Sequence, residues 1–472
     1  MAAHALDQLA RTDLLFLNWR DPSHPQAGGA EAYCFEIAKR FAAADANVTL
    51  FTARYPGGAE TEVQEGVRVV RHGSTFSVYS AAARHLLRNP HTYDAVIDFQ
   101  NGIPFFSPLF VPRWTADICV IHHIHQQQFD LRFRWPVNSL GRLLEKQVSR
   151  VVYRGRPVVV VSPSTREGTR RELGMHNPVH IVPNGSPPAP AVAPPARSAR
   201  PHITVISRLV PHKRVDLLIS AVPAVLQQVP DLRVDICGDG EELKVLRALV
   251  DRLRITRAVT FHGRVTEQVK QQLLARAWMT VVPSVAEGWG LTVIEANTVG
   301  TPALVYDVPG LRDSVDHLRN GWLLPPDSAL ADGINRALDT LRRPDVRERF
   351  AVECRQWAEQ FSWDDSADRL AAVVAEEIRR VHRRVHSRRQ PGNLSARGRF
   401  HSTDADAMEH VLAHDLRRTD DYTRRGDSFG LLLHDCDELR AYRVLRRLGV
   451  SQPSVSLATR RDILLGHTEP AA

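Results

Sequence analysis

The stretch that decides the fold is MTVVPSVAEGWGLTVIEANTVG, residues 279–300. It begins with the apolar run MTVVPS, which predicts a buried β-strand, and continues through the glycine turn AEGWG. The remainder, LTVIEANTVG, has the spacing of a helix that ends at Gly300. A strand, a glycine turn and a helix in this order are the unit from which parallel α/β sheets are built. The stretch therefore predicts an α/β protein.

The same alternation extends along both halves of the chain. Strand-like runs before residue 184 are DLLFLNW, NVTLFTA, YDAVIDFQ, DICVIHH and PVVVVS, and those after residue 201 are HITVIS, LRVDICG, AVTFHG, TPALVYD and GWLLP. Between them, residues 184–201 hold six prolines, which exclude a continuous helix and predict an extended connector. Two α/β halves joined by a proline-rich hinge predict a ligand-binding cleft between two domains.

Composition and charge narrow the class of protein. The chain has 472 residues, 43% hydrophobic and 24% charged, without an apolar run near the ~20 residues that span a bilayer. MAAHALDQLARTD does not resemble a secretory signal, and five scattered cysteines favour a cytoplasmic location. The net charge of +8 comes from arginine, and we expect no nucleic-acid partner. The cluster RRVHRRVHSRR, residues 379–389, is either a solvated helix face or a peripheral contact with the anionic inner face of a membrane.

Glu287 and Glu295 flank the glycine turn in a segment that is otherwise apolar. A buried carboxylate is costly unless a partner binds it, so the pair predicts a polar ligand whose hydroxyls both carboxylates reach. The turn also leads into a helix N-terminus, where free N–H groups and the helix dipole favour a phosphate. Two alternatives stay open: Glu295 only complements the dipole, and Glu287 lies in solvent.

A second element suited to phosphate is ISRLVPHKRVDLLI, residues 206–219, which also follows a strand and opens a helix. Arg208 can donate two hydrogen bonds to phosphate oxygens, and Lys213 supplies a compact charge. The alternative is two surface cations near a turn. Two anion-binding elements in one half fit a diphosphate better than a single anion.

Four segments in order, SRLVPHKRVD, ICGDGEE, FHGRV and PSVAEGWGLTVIEA, resemble the donor domain of retaining GT-B glycosyltransferases of family four, the group 1 glycosyltransferases. The resemblance covers roughly residues 12–380. It implies an α/β GT-B fold with two Rossmann-like domains facing across a cleft, plus a small C-terminal extension. It also implies that Glu287 contacts hydroxyls of the transferred sugar and that Glu295 contacts the ribose.

The other donor-binding residues follow from the same resemblance. Backbone of the glycine turn would meet the phosphates beside Arg208 and Lys213, and another set would lie near the diphosphate or base. The turn residues are Gly288, Trp289, Gly290 and Leu291, and the other set is Gly238, Arg264 and Val265.

Two features of the first half point to substrate binding. Gly28 and Gly29 lie between a strand and a helix without forming GxGxxG, so a helix start without a ligand stays open. They are similar to the family's N-terminal glycine loop, which lies under the donor phosphates and the acceptor. His122, His123 and His125 end a strand with a spacing that suits a metal poorly, and a packed or solvated cluster stays open. By the resemblance, His122 polarises a sugar or acceptor hydroxyl.

The resemblance implies that a hexose moves from a nucleoside-diphosphate sugar, such as GDP-mannose or UDP-glucose, to a hydroxyl of a glycan, lipid or small molecule with retention of configuration. We expect catalytic roles for His122, Glu287, Arg208 and Lys213, a front-side path, and no metal or other cofactor. Polysaccharide biosynthesis is the expected context. A nucleotide-sugar-binding protein without turnover, acting through its tail, is the alternative function. A nicotinamide-dependent oxidoreductase is disfavoured because GxGxxG is absent.

The expected domain organisation has six parts. The chain begins with an acceptor-side Rossmann-like domain (12–185), a proline-rich linker (186–201) and a nucleotide-sugar-binding Rossmann-like domain (202–360). These are followed by an amphipathic helix (361–386), a flexible linker (387–402) and a small accessory region of unknown role (403–472). In the tail, RRGDSFG vaguely resembles the signature hairpin of diguanylate-cyclase-type domains. It lacks one glycine and the glutamate of that signature, so no cyclase activity is expected.

Overall fold

The computed structural model describes residues 5–126, 129, 134–187, 195–386, 395–417, 420–434, 436, 438–458 and 462. The chain divides into two compact units. The first unit is Met1–Val182 with Ser366–Ala472, and the second unit is Pro183–Asp365.

Eight described strands of the first unit form one sheet, in the order β3-β4-β2-β1-β5-β6-β7-β8. They are β1 (Asp13–Leu17), β2 (Asn47–Thr52), β3 (Thr61–Gln64), β4 (Val67–Arg71), β5 (Ala95–Gln100), β6 (Ala116–Ile121), β7 (Val158–Val160) and β8 (Val179–Ile181). Neighbouring strands are parallel, except that β3 is antiparallel to β4. Every residue of β5, β6 and β7 is buried, as expected where helices cover both faces of a parallel sheet.

The helices that accompany this sheet follow β1, β4, β6 and β7 along the chain. They are α1 (Gly29–Ala43), α2 (Val78–Arg88), α3 (Val137–Leu143), α4 (Ser149–Val152) and α5 (Pro163–Arg171). A π-helical turn, Leu144–Val148, joins α3 to α4, and 3-10 turns lie at Ala5–Leu9 and Ser107–Leu109. The strand–loop–helix pattern predicted for the first half is thus observed.

Six described strands of the second unit form a parallel sheet in the order β11-β10-β9-β12-β13-β14. They are β9 (His202–Ile206), β10 (Arg233–Cys237), β11 (Val259–Gly263), β12 (Met279–Val282), β13 (Ala303–Tyr306) and β14 (Gly321–Leu324). This is the 3-2-1-4-5-6 order of the Rossmann fold, in which ligands bind outside the carboxyl ends of the strands where the order reverses. The reversal lies between β9 and β12.

Helices of the second unit pack on this sheet, and the core cluster that contains residues of four adjacent strands is one of several in this unit. They are α6 (Val215–Gln228), α7 (Leu243–Arg252), α8 (Glu267–Arg276), α9 (Leu291–Thr298), α10 (Leu311–Ser314), α11 (Leu330–Leu341) and α12 (Pro344–Ala358), with a 3-10 turn at Pro211–Lys213. Ile203, Val234, Met279 and Leu304, one from each of four adjacent strands, are fully buried in that core. The sequence that opens the second half therefore folds as its apolar runs predict.

The C-terminal residues of the first unit form a βαββαβ module. Its elements are β15 (Ala396–His401), α14 (Ala405–Asp415), β16 (Asp421–Arg425), β17 (Ser428–Leu433), α15 (Glu438–Arg447) and β18 (Ser454–Leu457). The antiparallel sheet has the order β16-β17-β15-β18, which is the ferredoxin-like arrangement. RRGDSFG forms the β16–β17 hairpin, with its tight turn at Gly426 and Asp427.

The predicted domain boundaries need one correction. Ala396–His401 form β15, so the flexible linker predicted at 387–402 is wrong for these residues. Alternate residues of β15 are buried, while the two arginines between them made the segment look uniformly polar. Residues 188–194 and 387–394 of the predicted linkers lie outside the described residues.

The long amphipathic helix predicted at 361–386 is observed as α13 (Trp363–His386). Within the described residues, no helix combines the length and apolarity needed to cross a bilayer.

Candidate functional site

The residues predicted to bind the donor lie on loops that follow strands of the second unit. They are Arg208 and Lys213 after β9, Gly238 after β10, Arg264 and Val265 after β11, and residues 287–291 after β12. Because the strands are parallel, all four loops lie at one edge of the sheet. The loops after β9 and β12 touch where the strand order reverses, since the Val285 N–H donates to the His212 carbonyl at 3.2 Å. The structure therefore gathers the predicted donor residues at the expected ligand edge.

Lys213 and Glu287 form an ion pair at this edge. Lys213 Nζ donates to Glu287 Oε1, and the two side chains are only 18% and 17% exposed. The backbone fixes both residues, because Lys213 closes the 3-10 turn and the Glu287 N–H donates to the Pro309 carbonyl at 3.2 Å. Two residues 74 positions apart are thus brought together, as their assignment to one site requires. An anion that binds Lys213 must compete with the Glu287 carboxylate for hydrogen bonds from the Lys213 ammonium group.

The two arginines predicted at this edge are exposed. Arg208 has no ion-pair partner among the described residues, so its guanidinium can bind an anion. Arg264 is 65% exposed and lies 4.0 Å from Asp239, and Val265 beside it is half-buried. At the ligand edge of the sheet, Arg208 is therefore exposed and without an ion-pair partner among the described residues, whereas Lys213 is paired with Glu287.

Glu295 lies in the second turn of α9 and is bound by a different lysine. Lys270 Nζ, on α8, donates to Glu295 Oε1 at 2.8 Å and lies 2.9 Å from Glu267. Burial raises the pKa of Glu295, and Lys270 opposes that rise. Burial alone would lower the pKa of Lys270, but the pairing with Glu295 raises it. The carboxylate predicted to reach the ribose therefore already has a protein partner through one of its two oxygens.

The glycine turn presents its backbone at the ligand edge, while the Trp289 indole points into the protein. Gly290 has φ of +95°, a conformation that favours glycine, and it precedes α9. The Trp289 side chain is buried against Phe361 with 4.9 Å between ring centroids. Gly288 and Leu291 on either side are half-buried. Trp289 thus anchors the turn, and the predicted contact of residues 288–291 with phosphate is restricted to main-chain groups.

Gly238 holds two strand ends together by close backbone approach. Its φ is +136°, and a Cβ at this position would lie 1.8 Å from the Ser207 carbonyl oxygen. Its N–H donates to the Gly263 carbonyl at 2.7 Å, which ties the end of β10 to the end of β11. Only glycine fits here without displacing the loop that carries Arg208.

Replacing Gly238 by alanine is expected to lower the free energy of unfolding by roughly 2–3 kcal/mol, through the clash with Ser207 and the positive φ. Gly263→Ala is the matched control, since its φ is +67° but nothing lies within 4 Å of the added Cβ. That control should cost about 1 kcal/mol, the strain of a left-handed alanine alone. Urea unfolding measures both, and equal losses would contradict the clash.

In the first unit, Gly28 and Gly29 begin α1 as predicted. The Gly28 N–H donates to Glu31 Oε2 at 2.8 Å, and Glu31 is buried. The sequence pattern does not single out Arg20, a buried cation in the loop between β1 and α1. Its guanidinium carbon lies 4.1 Å from the Trp19 ring centroid. A lone arginine in an arginine-rich chain gave no signal for it.

His122 directly follows β6 and is buried beside Tyr33, with 4.5 Å between ring centroids. Burial, and secondarily His125, lower the pKa of His122 to about 3. Its Nε2 has no hydrogen-bond partner among the described residues. His125 is held elsewhere, because its backbone N–H donates to the buried Glu145 at 2.7 Å. His122 is thus a neutral imidazole near pH 7.

Among the described residues, no group of three or more His, Cys, Asp or Glu side chains is arranged to hold a metal ion.

The pKa of His122 predicts sensitivity to acid. The folded-state value of about 3 lies below the ordinary 6.5, so the unfolded state binds more protons and stability is lost as pH falls below 6.5. At pH 5 this should cost the wild type about 2 kcal/mol relative to His122→Asn. Urea unfolding at pH 7.5 and 5.0 gives the difference, with His123→Asn as the neighbouring control. A His122→Asn variant as acid-sensitive as the wild type would show that His122 is not buried neutral.

Two family profiles match the two α/β halves of the chain. "Glycosyltransferase Family 4" matches residues 27–190, and "Glycosyl transferases group 1" matches residues 193–357. Together they cover more than half of the chain. The chain belongs to the group 1 glycosyltransferases.

Curated relatives of this glycosyltransferase agree with that membership. The D-inositol 3-phosphate glycosyltransferase of Streptomyces scabiei is 28% identical over 414 residues, 78% of this chain and 90% of that protein. The phosphatidylinositol N-acetylglucosaminyltransferase gpi3 subunit of Schizosaccharomyces pombe is 25% identical over 377 residues, 74% of this chain and 78% of that protein. The predicted family and enzyme class are therefore confirmed.

The solved structure of sucrose-phosphate synthase from Thermosynechococcus elongatus matches this glycosyltransferase with a TM-score of 0.62. The identity is 19%, and the match covers 80% of this chain and 99% of that one. At this identity the likeness shows the fold alone. The GT-B class with two Rossmann-like domains is confirmed, and the roles of individual site residues stay predictions.

Proposed function

We propose that this glycosyltransferase moves a hexose from a nucleoside-diphosphate sugar to an acceptor hydroxyl, with retention of configuration and without a metal. The observation that carries the proposal is the Lys213–Glu287 ion pair at the reversal point of the second-unit sheet. Exposed Arg208 lies on the same loop as Lys213, and the N-terminus of α9 follows Glu287. Cations and helix N–H groups suit a diphosphate, while a carboxylate suits sugar hydroxyls.

In the proposed reaction, the bond from the anomeric carbon to the diphosphate oxygen breaks as the acceptor oxygen bonds to the same face. The acceptor proton passes to the departing phosphate oxygen, so the step needs no other base. Arg208 and Lys213 stabilise the charge that develops on the diphosphate. When Lys213 binds the diphosphate, its ion pair with Glu287 breaks, and the Glu287 carboxylate can then accept hydrogen bonds from the sugar.

The remaining residues take binding roles in the proposal. Lys270 donates to Oε1 of Glu295, and among the described residues no bond to Oε2 is seen, so Oε2 can accept a ribose hydroxyl. His122 is neutral and can polarise a hydroxyl through its Nε2, which no described residue engages, but it cannot supply a positive charge. Gly28 and Gly29 would lie near the donor phosphates and acceptor. A cytoplasmic location and a role in polysaccharide or glycolipid synthesis complete the proposal.

Incubation with a panel of nucleotide sugars tests the proposal. GDP-mannose, UDP-glucose and UDP-N-acetylglucosamine are offered with acceptors that include inositol phosphate and phosphatidylinositol, since the curated relatives are named for those acceptors. A product whose anomeric configuration matches the donor by NMR supports retaining transfer. A thermal shift with nucleotide sugars but no product with any acceptor would favour the non-catalytic binding protein.

A further inference from the structure

One helical segment of the first unit buries a carboxylate and exposes several large apolar side chains. The segment consists of α3, the π-helical turn and α4, preceded by Arg134 and Trp135, and we call it the α3–α4 segment. Its buried residues are Gly141, Glu145 and Ser149, while Leu144, Val148 and Val152 are half-buried. Its exposed large apolar residues are Trp135 (80%), Val137 (53%), Leu140 (54%), Leu143 (46%) and Val151 (69%). A surface helix of a soluble domain ordinarily shows the opposite pattern.

Specific contacts fix this orientation of the segment. Glu145, fully buried, accepts from the His125 N–H at 2.7 Å and from Gln126 Nε2 at 2.6 Å. Gly141 packs on the Phe129 ring so closely that an added Cβ would lie 2.6 Å from it. A rotation that buried the apolar residues would take the Glu145 acceptor away from the His125 N–H and from Gln126 Nε2, and it would drive larger side chains into Phe129. The exposed apolar surface is therefore a stable property of the fold.

The charges on the α3–α4 segment are of one sign. Its sequence from Arg134 to Arg154 contains five basic residues and one acid, Glu145, which faces inward. Arg134, Arg150 and Arg154 are exposed, and within the described residues none of the three has an ion-pair partner. Exposed apolar side chains flanked by uncompensated arginines are the pattern of helices that lie in an anionic membrane interface.

We propose that the α3–α4 segment docks this glycosyltransferase onto an anionic lipid bilayer. Val137–Val152 spans about 24 Å, long enough to lie along the interface. Leu140, Leu143 and Trp135 enter the boundary of headgroups and acyl chains, where tryptophan is enriched, and the arginines meet lipid phosphates. A symmetric dimer through this face would instead bring like charges together. The surface differs from the arginine cluster at residues 379–389 and does not depend on glycosyl transfer.

Flotation with vesicles tests the proposal on the full chain. The wild type should float with vesicles of phosphatidylcholine and phosphatidylglycerol but not with phosphatidylcholine alone, and added salt should weaken binding. Leu140→Asp/Leu143→Asp should reduce bound protein at least tenfold. Arg150→Glu/Arg154→Glu should reduce it by roughly fivefold or more per charge. Leu87→Asp/Val245→Asp, at 63% and 60% exposed sites elsewhere, is the matched control and should float like the wild type.

Three results overturn the proposal. The first is a wild type that does not float with anionic vesicles. The second is a Leu140→Asp/Leu143→Asp variant that floats as well as the wild type, or a control that loses binding equally. The third is a dimeric wild type with a monomeric Leu140→Asp/Leu143→Asp variant in light scattering, which would assign the face to a second copy. Circular dichroism of each variant confirms that loss of flotation is not loss of fold.

Discussion

Replacing Lys213 by alanine is expected to lower kcat for glycosyl transfer roughly 10²–10³-fold while the protein stays folded. Lys213 is the cation nearest to Glu287 at the reversal point of the sheet, so in the proposed reaction it stabilises charge on the departing diphosphate. That charge develops fully only as the bond breaks, so kcat should fall more than donor affinity. Initial rates at several donor concentrations separate the two effects.

Lys244→Ala is the matched control for this experiment. Lys244 is an exposed lysine on α7 of the same unit, and its loss removes the same charge without touching the ligand edge. Lys213→Arg should recover part of the rate, because it keeps a cation with a different shape.

Glu287→Gln should also abolish transfer. Full activity in Lys213→Ala would remove Lys213 from the catalytic site and leave the family membership intact.

Much of the donor half could be predicted from sequence because parallel α/β folds place function at strand ends. The run MTVVPS and the turn AEGWG identify a strand and the loop after it, and β12 with the turn before α9 follow that reading. The positions of Lys213 and Glu287 after strands, together with the family resemblance, predict that both belong to one site. The sequence did not show that β9 and β12 are neighbours, which is what brings the two side chains into contact.

Contacts between helices were beyond the sequence pattern. Lys270 lies on α8, whose amphipathic pattern gives no sign that one side chain reaches Glu295 on α9. Glu145 lies in the helical run RLLEKQVSR, whose pattern gives no sign that this carboxylate is fully buried and accepts from His125 and Gln126. In both cases periodicity locates the helix but not its rotation against its neighbour. That rotation depends on packing across elements distant in sequence.

Replacing Lys270 by methionine is expected to destabilise the protein by about 3 kcal/mol at pH 8, because it leaves the Glu295 carboxylate buried without a partner. The side chain of Glu295 is only 11% exposed, so water compensates little. Without Lys270 the pKa of Glu295 rises further above its ordinary 4.5. The carboxyl group then binds a proton wherever protonation costs less free energy than burying the charge without a partner. Urea unfolding at pH 5 and pH 8 measures the loss.

The sign of the pH dependence follows from that raised pKa. Between 4.5 and the folded-state pKa, the folded variant binds more protons than the unfolded chain, so its stability falls as pH rises. At pH 5 the charge-related loss should be limited to about 1 kcal/mol, since protonation is then nearly free. Lys270→Arg keeps the cation and should behave like the wild type. Lys270→Met/Glu295→Gln removes the stranded charge and should regain most of the stability at pH 8. If Lys270→Met loses the same free energy of unfolding at both pH values, packing rather than charge holds α8 to α9.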